Sequence, residues 1–274
     1  MARERRLAFG DVAELYDLAR PSYPAELVEA VLAFAGARSG DLALEVGAGT
    51  GKATVLFAAR GLELVALEPS AEMAAVARRN CAGFENVTLE QAEFERWSPG
   101  GERFRLAFSA QAWHWVTADV RYLHAREALE PEGTLAIFWN RPDWESNPIR
   151  EQLAEVYERV VPDLGAGAGP GPMHPAADKR RDWWADWGAE LAAAPGFELV
   201  ESRTYRWREE YTTASYLQVL RTHSDHIVLG DDRLQELAGA IGEVLERHGG
   251  TLPLDYVTEL WMARAVGGSR AVPE

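Results

Sequence analysis

The sequence predicts an α/β fold built on a doubly wound, mostly parallel sheet, with additional helices and strands at both ends. Two observations predict it. Short apolar runs bounded by glycine, proline or charge alternate with stretches of helical spacing, and no internal repeat is visible. Strands that alternate with helices in this way form parallel sheets that are covered on both faces.

The strands of the predicted sheet are apolar through most of their length. Strands buried on both faces read as continuous hydrophobic segments, whereas helices repeat their apolar residues at about 3.6 positions. The strands are predicted over 42–46, 62–67, 87–89, 105–109 and 134–139. Helices are predicted over 51–60, 71–81 and 119–129, with Pro131 and Gly133 ending the last one.

The chain on either side of this core has a different character. Helical patterns at 11–18 and 24–34 are broken by the proline-bounded stretch 20–24, and glycines and prolines make 163–175 a predicted flexible loop. Beyond the loop we expect a tryptophan-rich helix, a strand over 197–207, two helices within 213–248 and a strand near 256–263. The predicted organisation is an N-terminal helical lid (1–35), an α/β core (36–140) and a C-terminal cap with closing edge strands (141–274).

Composition and charge exclude several classes of protein. The chain has 274 residues, is 47% hydrophobic and 26% charged, and carries a formal net charge of −15. A surface this acidic repels phosphate backbones and anionic lipid surfaces, so we expect neither a nucleic-acid partner nor a membrane partner. The single cysteine, Cys81, rules out an intrachain disulfide and a thiolate zinc site.

Targeting signals are not apparent in the sequence. The basic N-terminus is followed by Asp11 and Glu14 before an apolar segment could form. No apolar run approaches the roughly 18 residues needed to span a bilayer. We therefore expect a cytoplasmic protein.

A glycine-rich turn lies where the first strand ends and a helix begins. Gly47, Gly49 and Gly51 form a G-x-G-x-G pattern, which lets the backbone turn tightly and approach a nucleoside-like ligand. Val46 and Ala53 stand where a P-loop requires Gly and Ser or Thr. Lys52 replaces the third glycine of the dinucleotide fingerprint, which disfavours a nicotinamide-dependent oxidoreductase.

An acidic residue follows at the end of the next strand. Glu68 lies 21 residues after Gly47, and a carboxylate at this spacing can accept hydrogen bonds from both ribose hydroxyls. The alternative is that Glu68 is a helix-capping acid before Ala71. The glycines and the acid together are more specific than the glycines alone.

These motifs resemble a known family. In order and spacing, 45–51, 68–70, 94–97 and 109–115 are similar to the class I S-adenosylmethionine-dependent methyltransferases, which have a Rossmann-like fold. The resemblance covers about residues 9–140 and is greatest to the small-molecule branch that includes trans-aconitate-methyltransferase-like proteins. The stretch 16–24 resembles the N-terminal segment that covers the cofactor in that branch.

The resemblance implies a set of cofactor-binding residues. The glycine turn would line the methionine and ribose of S-adenosylmethionine, and 93–94 would lie beside the adenine. In the lid, Arg20 would bond the methionine carboxylate, while Tyr16 and Tyr23 would provide apolar cover. The implied cofactor-binding residues are Tyr16, Arg20, Glu45, Gly47, Gly49, Gly51, Glu68, Glu93, Phe94, Ser109 and Gln111.

The segment Trp113-His114-Trp115 follows a strand end, on the side where doubly wound folds bind ligands. His114 could deprotonate or orient an acceptor, and is our candidate catalytic residue. The alternative is that it bonds a backbone group while the two indoles pack. The predicted acceptor site comprises Trp113, Trp115, Tyr23 and Trp139.

Other aromatic and titratable clusters are expected to be structural. Trp183, Trp184 and Trp187 share one helical face and favour packing over a substrate wall. His223 and His226 lack further nearby ligands in the sequence, so we predict no metal site. The basic run 179–181 is expected to be a solvated face.

The predicted function is methyl transfer from S-adenosylmethionine to a small-molecule acceptor by in-line displacement, in which alignment supplies most of the catalysis. Two alternatives stay open. One is a different reaction of the same cofactor, such as cyclisation or transfer of another group. The other is a non-catalytic cofactor-binding protein. Neither the acceptor nor the oligomeric state follows from the sequence.

Overall fold

The computed structural model describes residues 12–164 and 186–266. Among these, two compact units each draw on separate stretches of chain. The first, here called the sheet unit, comprises 22–139, 186–204 and 259–266. The second, the helical unit, comprises 12–21, 140–164 and 205–258. The three segments expected from the sequence, 1–35, 36–140 and 141–274, stay predictions.

Seven strands form one sheet in the order β3-β2-β1-β4-β5-β7-β6. The pairs β1–β2, β1–β4, β2–β3 and β4–β5 are parallel, which confirms the predicted doubly wound, mostly parallel sheet. The order reverses between β1 and β4, and ligands of such sheets bind at the carboxyl ends of the strands beside this reversal. The strands are β1 (Leu42–Val46), β2 (Glu63–Leu67), β3 (Val87–Glu90), β4 (Phe104–Ala110), β5 (Leu129–Asp143), β6 (Phe197–Thr212) and β7 (Thr251–Ala265).

Helices belong to both units. Those of the sheet unit are α2 (Ala25–Ala35), α3 (Thr54–Ala58), α4 (Ala71–Asn80), α5 (Ala118–Ala128) and α7 (Trp187–Ala193). Those of the helical unit are α1 (Ala13–Ala19), α6 (Arg150–Val160), α8 (Thr213–Arg221), α9 (Ser224–Ile227) and α10 (Asp231–Arg247). Among the described residues, no helix combines the length and apolar composition needed to cross a bilayer.

Two local predictions were wrong. Pro131 and Gly133 do not separate a helix from a strand, because β5 already begins at Leu129 and passes through both residues. The register between β4 and β5 is irregular there, between Phe104 and Leu106. The stretch 213–248 holds three helices instead of two, and Gly230, at φ 79°, precedes the last of them.

Each unit has its own apolar interior. In the sheet unit, Phe57 stacks on Phe108 with ring centroids 4.1 Å apart, and Phe108 stacks in turn on Phe138. These rings fix α3 against the middle of the sheet. In the helical unit a buried cluster includes Leu153, Leu220 and Ile241 from α6, α8 and α10. Helix α7 begins at Trp187, while Trp183, Trp184, the run 179–181 and the loop residues 165–175 lie outside the described residues.

Candidate active site

The glycine turn after β1 has the backbone conformation that requires glycine. Gly47, Gly49 and Gly51 have φ values of 76°, 57° and 86°. A Cβ on Gly47 would lie 2.4 Å from the Cβ of Ala112, and one on Gly51 would lie 3.3 Å from the Sγ of Cys81. On Gly49 it would meet no described atom within 4 Å. The outer two glycines therefore allow close packing, whereas Gly49 borders open space that a ligand can fill.

Glu68 is held at this turn by two backbone N–H groups. Its carboxylate accepts hydrogen bonds from the N–H of Gly49 at 2.8 Å and from that of Ser70 at 2.9 Å. The N-cap of α4 is Ser70, whose Oγ accepts the N–H of Met73, so the capping oxygen is not supplied by Glu68. An ionised carboxylate offers about four acceptor positions, so it can accept hydrogen bonds from several donors at once.

Glu45 is a fully buried acid in β1, close to the same turn. Its Oε2 accepts the hydroxyl of Thr54 at 2.5 Å, and its Oε1 has no hydrogen-bond partner among the described residues. Burial, reinforced by the charge of Glu68, raises the pKa of Glu45 to about 8. The side chain is therefore mostly protonated at neutral pH. Thr54, the partner that holds it, was not identified from the sequence.

Ser109 lies near the end of β4, next to β1, and Gln111 directly follows that strand. The Ser109 hydroxyl is buried and donates to the carbonyl of Val46 at 2.7 Å, which ties β4 to the start of the glycine turn. Gln111 has a left-handed φ of 62°, and its N–H donates to the carbonyl of Phe138 at 2.9 Å. Strained backbone of this kind is concentrated at functional sites. Both residues thus shape the strand ends that border the predicted cleft.

The predicted adenine contacts follow β3. Glu93 forms an ion pair with Arg96, with Oε2 3.4 Å from Nε. Phe94 begins a short 3-10 helix, is buried, and packs against the rings of Trp113 and His124 at centroid distances of 6.1 and 6.0 Å. Their contact with adenine stays a prediction.

His114 lies in a 3-10 turn after β4, between Trp113 and Trp115. The indole N–H of Trp139 donates to its Nδ1 at 3.3 Å. An indole nitrogen can only donate, so in the neutral imidazole this bond places the proton on Nε2. The ring keeps an exposed surface, although the many protein atoms around it, together with the nearby Arg121 cation, lower the pKa of His114 below its ordinary value.

This arrangement favours one of the two predicted roles. With Nδ1 engaged and Nε2 protonated, neutral His114 offers a hydrogen-bond donor instead of a lone pair. A lowered pKa also makes it a weaker proton acceptor. The geometry therefore favours orientation of an acceptor over its deprotonation.

The predicted acceptor-site aromatics differ in burial. Trp113 and Trp139 are fully buried, and Trp139 stacks on Trp187 with centroids 4.7 Å apart. Trp115 is half-buried, with its ring 4.6 Å from that of His114, and Tyr23 packs edge-on against Phe138. Trp113 and Trp139 thus support the site from within, whereas Trp115 retains surface that an acceptor could contact.

A partly buried ion pair beside these rings was not predicted from the sequence. Arg121 of α5 pairs with Glu190 of α7, and its guanidinium lies 4.9 Å from the centroid of the Trp187 ring. The partners are 69 residues apart, and each occupies a helix with no pattern that links it to the other. Neither residue could have been selected without the tertiary fold.

Tyr16 and Arg20 lie in the helical unit. The Arg20 guanidinium donates from Nε to the hydroxyl of Thr222 at 2.8 Å and from Nη2 to its carbonyl at 3.0 Å. It also lies 5.4 Å from the centroid of the Tyr16 ring. Their predicted contacts with the cofactor stay predictions.

Comparison with known proteins shows that this region is similar to methyltransferases. Residues 43–133 match the family described as "Methyltransferase domain". An uncharacterised methyltransferase of Mycobacterium tuberculosis H37Rv is 34% identical over 157 residues, or 57% of this chain, and the match spans 61% of that relative's length. An uncharacterised methyltransferase of Schizosaccharomyces pombe is 24% identical over 237 residues, or 86% of each chain.

Solved structures share the fold over most of the chain. A candidate type II methyltransferase of Anaeromyxobacter dehalogenans superposes with a TM-score of 0.62 at 23% identity, covering 91% of this chain and 99% of that one. A phosphoethanolamine N-methyltransferase of Haemonchus contortus gives 0.53 at 14% identity, covering 94% and 58%. The matched family region contains both the glycine turn and Glu68. Residues 43–133 are therefore similar to a methyltransferase domain, and the chain has the Rossmann-like fold of the class I methyltransferases.

Proposed function

We propose that this protein methylates a small-molecule acceptor, with S-adenosylmethionine as the methyl donor. The observation that carries the proposal is that the Glu68 carboxylate is held by the N–H of Gly49, a residue on which a Cβ would meet no described atom within 4 Å. When bound, the cofactor supplies an electrophilic methyl group on its sulfonium. The protein's task is then to hold donor and acceptor in line and to exclude water.

Glu68 would bind the ribose hydroxyls, because its carboxylate is already oriented by the N–H groups of Gly49 and Ser70. A group that is fixed before the ligand arrives loses little conformational freedom on binding. Glu45, buried behind the same turn, would hold a proton in the ligand-free protein. We expect its ionisation to be coupled to the charge of whatever binds there.

His114 would orient the acceptor. Trp139 fixes its ring through Nδ1, and the proton on Nε2 would be donated to an oxygen or nitrogen of the acceptor that is not the reacting atom. The half-buried Trp115 ring beside it would supply an apolar wall. Deprotonation by His114 would require the opposite tautomer and the loss of the Trp139 bond.

The binding assignment can be tested without knowing the acceptor. Isothermal titration with S-adenosylhomocysteine should show that Glu68→Ala loses roughly 2–4 kcal/mol of binding free energy, the value of two charge-assisted hydrogen bonds. Glu63→Ala is the matched control, because Glu63 is an exposed acid at the opposite end of β2. Unchanged affinity in Glu68→Ala, with a folded protein, would reject the ribose assignment.

A reaction other than methyl transfer is the second candidate function. The cyclase SpnF shares the fold with a TM-score of 0.51 at 16% identity, covering 91% of this chain and 84% of that one. A fold alone does not determine its chemistry. Incubation with a panel of acceptors separates the candidates: S-adenosylhomocysteine with a methylated product supports methyl transfer, and an altered substrate with intact cofactor supports another reaction. Tight cofactor binding without turnover on any acceptor would support a binding protein.

A further inference from the structure

The helical unit contains a compact cluster of metal-ligating side chains. His223 is the N-cap of α9, and Asp225 and His226 lie within that helix. One nitrogen or oxygen from each residue lies within 4.8 Å of the others, and all three residues are buried. The sequence suggested only two histidines without a third ligand, because the burial of Asp225 beside them could not be foreseen.

Two polar atoms of this cluster are left without protein partners. Nδ1 of His223 and Oδ2 of Asp225 are buried, and neither forms a hydrogen bond within the part of the chain that the structure describes. Buried polar atoms are almost always satisfied by protein, water or an ion. The cluster therefore needs a further component, and the two atoms indicate where it binds.

The donor set indicates the chemistry of that component. Two imidazole nitrogens and one carboxylate oxygen are ligands of zinc-like divalent transition metals, whereas Ca²⁺ and Mg²⁺ require mostly oxygen ligands. We propose that His223, Asp225 and His226 bind one divalent transition-metal ion.

The surrounding contacts give each ligand a defined role. The ion would be bound by the unpartnered Oδ2 of Asp225 and by Nδ1 of His226, whose 2.8 Å contact with Oδ1 of Asp225 it would replace. Nε2 of His226 lies 2.9 Å from the hydroxyl of Tyr157. Ligating histidines characteristically bond an outer partner through their second nitrogen, which orients the ring. Tyr157, on α6, is therefore a positioning residue, and it links the ion to a second helix of the same unit.

The charges around the cluster affect which ion it can bind. The Arg20 guanidinium donates hydrogen bonds to Thr222, the residue before His223. The same guanidinium opposes a second cation, and the Asp225 carboxylate must offset it. We therefore expect loss of the Asp225 charge to weaken binding at least as much as loss of one imidazole.

The test uses the full chain after treatment with a chelator. Titration with Co²⁺ should give the visible absorption of a tetrahedral nitrogen and oxygen site, and competition with Zn²⁺ should give a stoichiometry of one ion per chain. Both His223→Ala and Asp225→Asn should weaken Zn²⁺ binding by more than about 100-fold, and Tyr157→Phe by about 10–100-fold, as for outer partners of metal ligands. The matched control, His248→Ala, should bind as wild type, because His248 contacts Gln152 and Val244 instead of this cluster.

The outcomes separate the proposal from its alternatives. Absence of the Co²⁺ absorption in the wild-type protein would overturn it and would leave water as the component that satisfies the two atoms. Metal binding that survives in both ligand variants would also overturn it, since the ion would then lie elsewhere. Circular dichroism of each variant establishes that it is folded, and the wild-type spectrum decides the question even if a variant is not. The proposal does not rest on the proposed function, because none of these readouts involves methyl transfer.

Discussion

Replacing Glu45 by glutamine should stabilise the ligand-free protein at neutral pH and remove a pH dependence that the wild type carries. The reason is the burial of this acid in β1, which raises its pKa from 4.5 to about 8. Glutamine has nearly the same shape, does not ionise, and keeps an oxygen that can accept the hydroxyl of Thr54. The substitution therefore removes the ionisation with little change in packing.

The magnitude follows from linkage between protonation and folding. Between pH 4.5 and about 8 the unfolded chain has released the Glu45 proton while the folded protein retains it. The unfolded state then binds fewer protons, so the free energy of unfolding falls as the pH rises. Each pKa unit corresponds to about 1.4 kcal/mol, which makes the whole loss about 5 kcal/mol, of which about 3 kcal/mol has occurred by pH 7.

Urea unfolding at a series of pH values measures this directly. Glu45→Gln should exceed the wild type in unfolding free energy by about 3 kcal/mol at pH 7, and the two should converge near pH 4.5. Glu63→Gln, an exposed acid on β2, controls for the removal of one charge. Parallel pH profiles for wild type and Glu45→Gln would refute the reasoning, because they would mean that Glu45 ionises alike in both states.

Further predictions concern the glycine turn and His114. Gly47→Ala should destabilise the fold by several kcal/mol, since its Cβ would lie 2.4 Å from that of Ala112. Gly49→Ala should destabilise the fold by only about 1–2 kcal/mol, through backbone strain, but should weaken S-adenosylhomocysteine binding. Thermal unfolding and calorimetry on both variants measure the two effects, and equal losses of stability in Gly47→Ala and Gly49→Ala would contradict the prediction. If His114 orients the acceptor by donating a hydrogen bond, His114→Gln should retain much more turnover than His114→Ala, and cofactor affinity should be unchanged in both. A rate loss of about 10²–10⁴-fold in both variants would instead indicate that His114 is a general base. In a protein that retains His114, Trp139→Phe should lower turnover, because the imidazole ring loses the hydrogen bond that holds it. In the His114→Ala protein, Trp139→Phe should have no further effect on turnover.

The sequence by itself determined the sheet and its glycine turn. The strands of a parallel sheet are buried on both faces, so their apolar runs are recognisable locally, and five of them are found in their predicted places from Leu42 to Trp139. The positive φ values at Gly47, Gly49 and Gly51 are likewise a local requirement that only glycine meets easily. The spacing to Glu68 follows from the same unit of strand, turn and helix.

Only the tertiary structure decided the environment of each functional side chain. The protonation of Glu45 depends on burial, the tautomer of His114 on Trp139, and the ion pair of Arg121 on a helix 69 residues away. The cluster of His223, Asp225 and His226 also depends on the tertiary structure, since packing in the helical unit buries its two unpartnered atoms. The periodicity of apolar residues and the residue preferences of turns act over a few neighbouring positions, so they can be recognised in the sequence. Desolvation and hydrogen bonding act between side chains that are distant in sequence, and they exist only once the fold has brought those side chains together.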